Sequence, residues 1–185
     1  MLLKPTTLSL PEISLLIGLL TAAPAIFALA APASAEKWFK AFPRSVWPGR
    51  VIMALCVVWA VAWLVIMPFE FLKFLHPYLW IITPLFIAGT WFFMQDLLSC
   101  RAFGCLIALA ATPMLSAAQW HPSLLRYVVI VYAYALAIFG MFYIALPYLV
   151  RDHITWTFAK PLRTRAVSAA FAAIGVLLLA GYWVF

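Results

Sequence analysis

The chain reads as an all-α integral membrane protein, and three observations carry that expectation. Of 185 residues, 68% are apolar and 9% are charged, with a mean hydropathy of +1.10. Soluble domains run at roughly 45–50% apolar and about 25% charged, so a water-soluble fold could not cover its own surface. The apolar residues also fall into runs long enough to cross a bilayer, which asks for about 20 residues per helix. Finally, the charges collect between those runs.

Six spans are expected, all in one membrane-embedded domain covering residues 1–185: 13–31, 51–67, 78–94, 102–118, 127–149 and 166–185. The first begins after Glu12. Lys4, the apolar run and Ala33-Ser34-Ala35 also resemble a cleavable leader. Against cleavage, the run is longer than a leader core, and Lys37, Lys40, Arg44 and Arg50 would follow on the outside. Retention is the expectation. The second, third and fourth spans are short and lean on flanking Trp, Phe and Leu to reach the headgroups. The fifth is rich in tyrosine, and Tyr134 lies near mid-bilayer, where its hydroxyl needs a partner. The sixth carries Ser168, Ala169, Ala172, Ala173 and Gly175, small residues that let another backbone approach. Whether that neighbour is the fifth span, through Ala133 and Ala137, or another chain stays open.

Lys and Arg number 12 and Asp and Glu 5, a net charge of +7. With the segment after the first span placed inside, the inner segments hold Lys37, Lys40, Arg44, Arg50, Arg101, Arg151, Lys160, Arg163 and Arg165. The outer ones hold Lys4, Lys73 and Arg126. This bias predicts both chain ends outside and suits a bacterial cytoplasmic (inner) membrane. Cations spaced among Trp38, Phe39, Phe42 and Trp47 point to anionic lipid headgroups, at about 1 kcal/mol per charge, and not to nucleic acid. Lys37, Lys40, Arg44, Arg50, Arg151, Lys160, Arg163 and Arg165 are the candidate contacts to lipid or to a partner protein.

No Asp, Glu, Lys, Arg or His falls inside the apolar cores of these spans. Buried ionisable groups mark ion paths, proton relays and intramembrane catalysis, so those chemistries lack their working parts. HExxH, P-loop and dinucleotide motifs are absent as well. Cys56, Cys100 and Cys105 form no zinc pattern and read as small packing residues. Arg151, Asp152 and His153 are consecutive and cannot all converge on one atom. Glu70 and Lys73 read as a surface pair.

Prolines 24, 84, 113 and 147 fall within spans and are expected to bend them. Thr83-Pro84 and Thr112-Pro113 lie in similar stretches, each with a Trp seven residues after its proline (Trp91 and Trp120). At 1.5 Å per residue, both bends would sit in one leaflet. Thr83, Pro84, Thr112 and Pro113 are therefore candidates for an outer cleft taking a lipid, quinone or pigment. His76 and His121, both on the outer side, are candidate axial ligands of a haem, although each precedes a proline in a loop, and no cofactor is expected.

The function expected is a small non-catalytic subunit or scaffold that packs against partner helices, or against copies of itself, and lipid. The alternatives are an uncoupled carrier of an amphipathic solute through the proline-bent spans, and a lipid-modifying enzyme using inner-loop residues such as Asp152 and His153.

Overall fold

The computed structural model describes residues 9–66, 74, 76–93, 97–119, 121–124 and 126–184. Among the described residues there are eight α-helices, short 3-10 turns and no strand. The helices are α1 (Leu10–Ala30), α2 (Pro32–Ala41), α3 (Val46–Ile66), α4 (Leu79–Phe93), α5 (Leu98–Ala118), α6 (Arg126–Ala145), α7 (Tyr148–Phe158) and α8 (Pro161–Val184). Five of them, α1, α3, α5, α6 and α8, are long and apolar enough to cross a membrane. Helix α4 coincides with the expected third span, but its 15 described residues rise only about 22 Å against a hydrocarbon core of about 30 Å.

Local chemistry sets the ends of these helices. Helix α1 begins at Ser9, whose N–H donates to Glu12 Oε2 at 2.7 Å, so the one acid of that span satisfies a free helix-end donor. It stops at Ala31, with φ −136° and ψ 67°, because Pro32 excludes helical backbone at the residue before it. Pro32 then occupies the first turn of α2 and Pro161 that of α8, where the missing N–H costs nothing. Pro147 behaves alike. The expected fifth span ran through it to Leu149, whereas α6 ends at Ala145 and Pro147 caps α7. It separates two helices instead of bending one. Prolines 24, 84 and 113 do lie inside α1, α4 and α5. The segments expected to be inner loops are thus largely helical, as α2 and α7.

Helix packing relies on glycine. A Cβ at Gly18 would stand 2.9 Å from the Leu179 nitrogen and 3.0 Å from the Gly175 carbonyl oxygen, and one at Gly175 would stand 2.7 Å from the Ala22 nitrogen. Helices α1 and α8 therefore cross antiparallel with their backbones touching. The small-residue stripe of the last helix thus has α1 as its neighbour, not the fifth span. Helices α5 and α6 repeat the device, Gly104 against the Gly140 carbonyl at 2.9 Å and Gly140 against that of Gly104 at 2.8 Å. In membranes close approach of this kind replaces the hydrophobic drive as the source of helix association.

Between these two pairs sits the main core. Leu10, Ile13 and Ile17 of α1 meet Ala111, Met114 and Ala118 of α5, Val129 and Ala133 of α6, and Leu178 of α8. Thr21 donates to the Ile17 carbonyl at 2.7 Å, so the 3.0 Å bond between Thr21 Oγ1 and the Tyr132 hydroxyl has tyrosine as donor and ties α1 to α6. Tyr134, the expected seeker of a partner, lies on the exposed face. Helix α3 runs parallel to α5: Gly49 meets Ser99, and the Cys56 thiol points to the Ala102 carbonyl at 3.8 Å. Met53, Leu98 and Ala102 form a second, smaller cluster there. Helix α4 stands at the rim and packs chiefly against α3.

Candidate functional site

One end of the bundle gathers the start of α3, α5 and α8, the end of α6, and all of α2 and α7. Phe39 of α2 stacks on Phe158 of α7, with ring centres 5.8 Å apart. Phe42 meets Phe103 edge-on at 6.0 Å, and Phe103 stacks on Tyr143 at 6.2 Å. The Tyr143 hydroxyl shares a 3.0 Å hydrogen bond with His153 Nδ1. The Ser99 hydroxyl donates to the Ser45 carbonyl, and Thr164 Oγ1 to the Thr157 carbonyl at 2.9 Å. These contacts hold two short helices against the ends of the long ones, so this end is built and not merely connected.

The same elements carry Lys37, Lys40, Arg44, Arg50, Arg101, Arg151, Lys160, Arg163 and Arg165, so all nine expected inner cations share one end. Its two described acids are engaged locally: Glu36 with Lys40 at 2.5 Å and Asp152 with Arg151 at 3.1 Å. Arg163 lies over the Trp156 ring at 4.9 Å and Arg50 over the Trp91 ring at 5.7 Å. Trp38 and Trp47 are 76% and 72% exposed, which suits rings standing in a headgroup layer. Arg126 is at the opposite end, donating to the His121 carbonyl at 2.6 Å. Lys4 and Lys73 lie outside the described residues, as do Glu70, Asp96 and Trp120.

The Arg151-Asp152-His153 run does not form an acid–base unit. Asp152 turns to Arg151, while His153 turns to Tyr143. That tyrosine–histidine pair spans Pro147 at a separation of ten residues, a spacing with no helical meaning in one continuous segment. Sequence reasoning missed it for that reason. The Arg50–Trp91 pair was equally hidden, because it joins two helices across a long connection.

The outer candidates lie on different elements. Thr83 donates to the Leu79 carbonyl at 2.7 Å, occupying an acceptor in the turn before Pro84. At the second proline the hydroxyl comes from downstream, Ser116 to the Pro113 carbonyl at 3.0 Å. Pro84 is on α4 and Pro113 on α5, and both helices pack against α3. A groove of about 370 Å³ does open on α4, lined by Ile82, Leu85, Phe86, Gly89, Thr90 and Phe93. None of Thr83, Pro84, Thr112 and Pro113 lines it. His121 Nδ1 accepts the Ser123 N–H at 3.3 Å, and His76 Nε2 is buried without a partner. His76 precedes α4 and His121 precedes α6, helices that pack against different neighbours. Among the described residues no three His, Cys, Asp or Glu cluster as a metal site.

Comparison of the chain with known protein families, with curated proteins and with solved structures finds no match.

Proposed function

We propose that the protein is a non-catalytic membrane subunit, a scaffold that holds a transmembrane helix of a partner protein along α4. In this reading the chain crosses a bacterial cytoplasmic membrane six times, with α4 as the third span and the cationic end inside.

The observation that carries the proposal is Gly89. Of the six glycines whose surroundings are described, five have neighbouring atoms within contact distance of a would-be Cβ, and Gly89 has none. Glycine inside a helix costs roughly 0.5–1 kcal/mol relative to alanine. Elsewhere in this chain that cost is offset by a backbone crossing. At Gly89 no described residue offsets it, and a notch between Leu85, Phe86 and Phe93 is left on the outer face. A helix from another protein laid across Gly89 would use the notch as Gly175 uses Ala22.

Photocrosslinking from position 86, followed by purification in mild detergent, tests the reading. The expected result is one discrete protein adduct, lost in Gly89→Leu, while that variant keeps its helical content. Lipid adducts alone, or unchanged crosslinking in Gly89→Leu, would overturn it. Solute flux through liposomes holding this protein alone would favour the carrier instead. Loss of a lipid-modifying activity in His153→Ala would favour the enzyme.

A further inference from the structure

The cationic end carries a second surface, separate from the α4 notch. Both short helices there are tied closely to long ones. Ala31 alone separates α1 from α2, and Ser45 alone separates the 3-10 turn that follows α2 (Phe42–Arg44) from α3. Leu146 and Pro147 join α6 to α7, and Ala159 and Lys160 join α7 to α8. Connections this short hold α2 and α7 at the level where the membrane-crossing helices end, which in a bilayer is the headgroup layer.

Helix α2 lays one side on the bundle and shows the other. Ala35, Phe39 and Phe42 recur at spacings of four and three. Ala35 is fully buried, and the two rings meet Phe158 and Phe103. Lys37, Lys40 and Arg44 recur at spacings of three and four and are exposed, as are Lys160 and Arg165 beside the start of α8. Lys40 is held by Glu36, but among the described residues Lys37, Arg44, Lys160 and Arg165 are in no ion pair. The chain cannot neutralise this end by itself. Even with Asp96 of the α4–α5 connection counted beside Glu36 and Asp152, nine cations face three acids.

Large apolar side chains share the exposed side: Trp38, Trp47 and Leu162, the last 78% exposed. Water would suit the cations and not these groups, and hydrocarbon would suit these groups and not the cations. The headgroup layer suits both. A bilayer surface also asks for no convergence of the cations on one point, only that each be open to it, and each is.

We infer that the exposed side of α2, with the adjoining starts of α3 and α8, docks on anionic phospholipid and selects it over zwitterionic lipid through Lys37, Arg44, Lys160 and Arg165. Trp38, Trp47 and Leu162 set the depth of the contact. The surface acts whatever lies in the α4 notch.

Electron spin resonance of the full chain in phosphatidylcholine bilayers, with trace spin-labelled phosphatidylglycerol or phosphatidylcholine, tests this. The fraction of each label held at the protein surface gives the relative association. Phosphatidylglycerol is expected to associate about threefold more strongly at low salt, and about equally in 1 M sodium chloride, where charges are screened within about 3 Å. Replacing Lys37, Arg44, Lys160 and Arg165 together by Gln is expected to remove most of the preference while helical content is kept. Arg126→Gln, at the opposite end, is expected to leave it unchanged. Equal association of the two lipids with the wild type, or a preference that survives 1 M salt, overturns the docking even if the fourfold variant fails to fold. A preference kept by a folded fourfold variant, or lost in Arg126→Gln, overturns the assignment to this end. Photocrosslinking from position 41, on the exposed side of α2, is expected to give lipid adducts in cell membranes. A discrete protein adduct there would make an acidic protein the occupant and overturn the lipid.

Discussion

Helices α1 and α8 and helices α3 and α4 both pair within the chain, yet they do so by opposite means. The first pair brings backbones into contact through Gly18, Ala22 and Gly175, burying Ser14, Ala22, Ala25 and Leu178. The second leaves its glycine, Gly89, facing away from the bundle, and Trp80, Leu85 and Phe93 are 87%, 70% and 90% exposed. In lipid an exposed apolar side chain is ordinary, so exposure alone teaches little. What separates the pairs is where each keeps its small residues. Inside the bundle they meet another helix of the same chain; on α4, Gly89 meets no described residue.

The strongest break of this contrast is Gly175→Leu. The new side chain must displace the Ala22 backbone, not a flexible tip, and overpacking of that kind costs about 3 kcal/mol. Denaturation by sodium dodecyl sulfate, followed by circular dichroism, should show the loss. Gly89→Ala should move the other way and stabilise the isolated protein by up to about 1 kcal/mol, because the added methyl finds open space. A destabilising Gly89→Ala would mean that α4 packs on its own chain there. Smallest is Tyr132→Phe, which removes the bond to Thr21 and should cost about 0.6 kcal/mol, the average for such bonds between membrane helices. The same denaturation assay measures it.

The positions of the long helices were legible because bilayer thickness imposes a length on them. Expected and observed ends of the first span differ by three residues at its start and one at its end. The fourth ends at Ala118 in both readings. The short helices α2 and α7 were not read, since charges and aromatic rings there marked a headgroup layer without marking its conformation. Pro32, Pro147 and Pro161 bound them and were the usable signal. Partnership was the least legible property. Small residues in the last span announce a close neighbour, but Gly175 looks the same whether α1, α6 or a foreign helix lies against it. Tyr132 and Tyr134 are two positions apart, so they point to different sides of α6, and apolar periodicity too weak to name the inner side could not choose between them. Of the proposed sites, the crowding of nine cations at one end was visible in the charge pattern; the open flank of Gly89 needed coordinates.

The mutual grip of α1 and α8 also has a bearing on biogenesis. Chains emerge from the ribosome amino end first, and every other described helix is made between these two. Helix α1 must therefore wait, with its bare Gly18 flank turned to lipid or to an insertion factor, until α8 is delivered. The contact between α1 and α8 forms only once α8 has been delivered, after every other described helix.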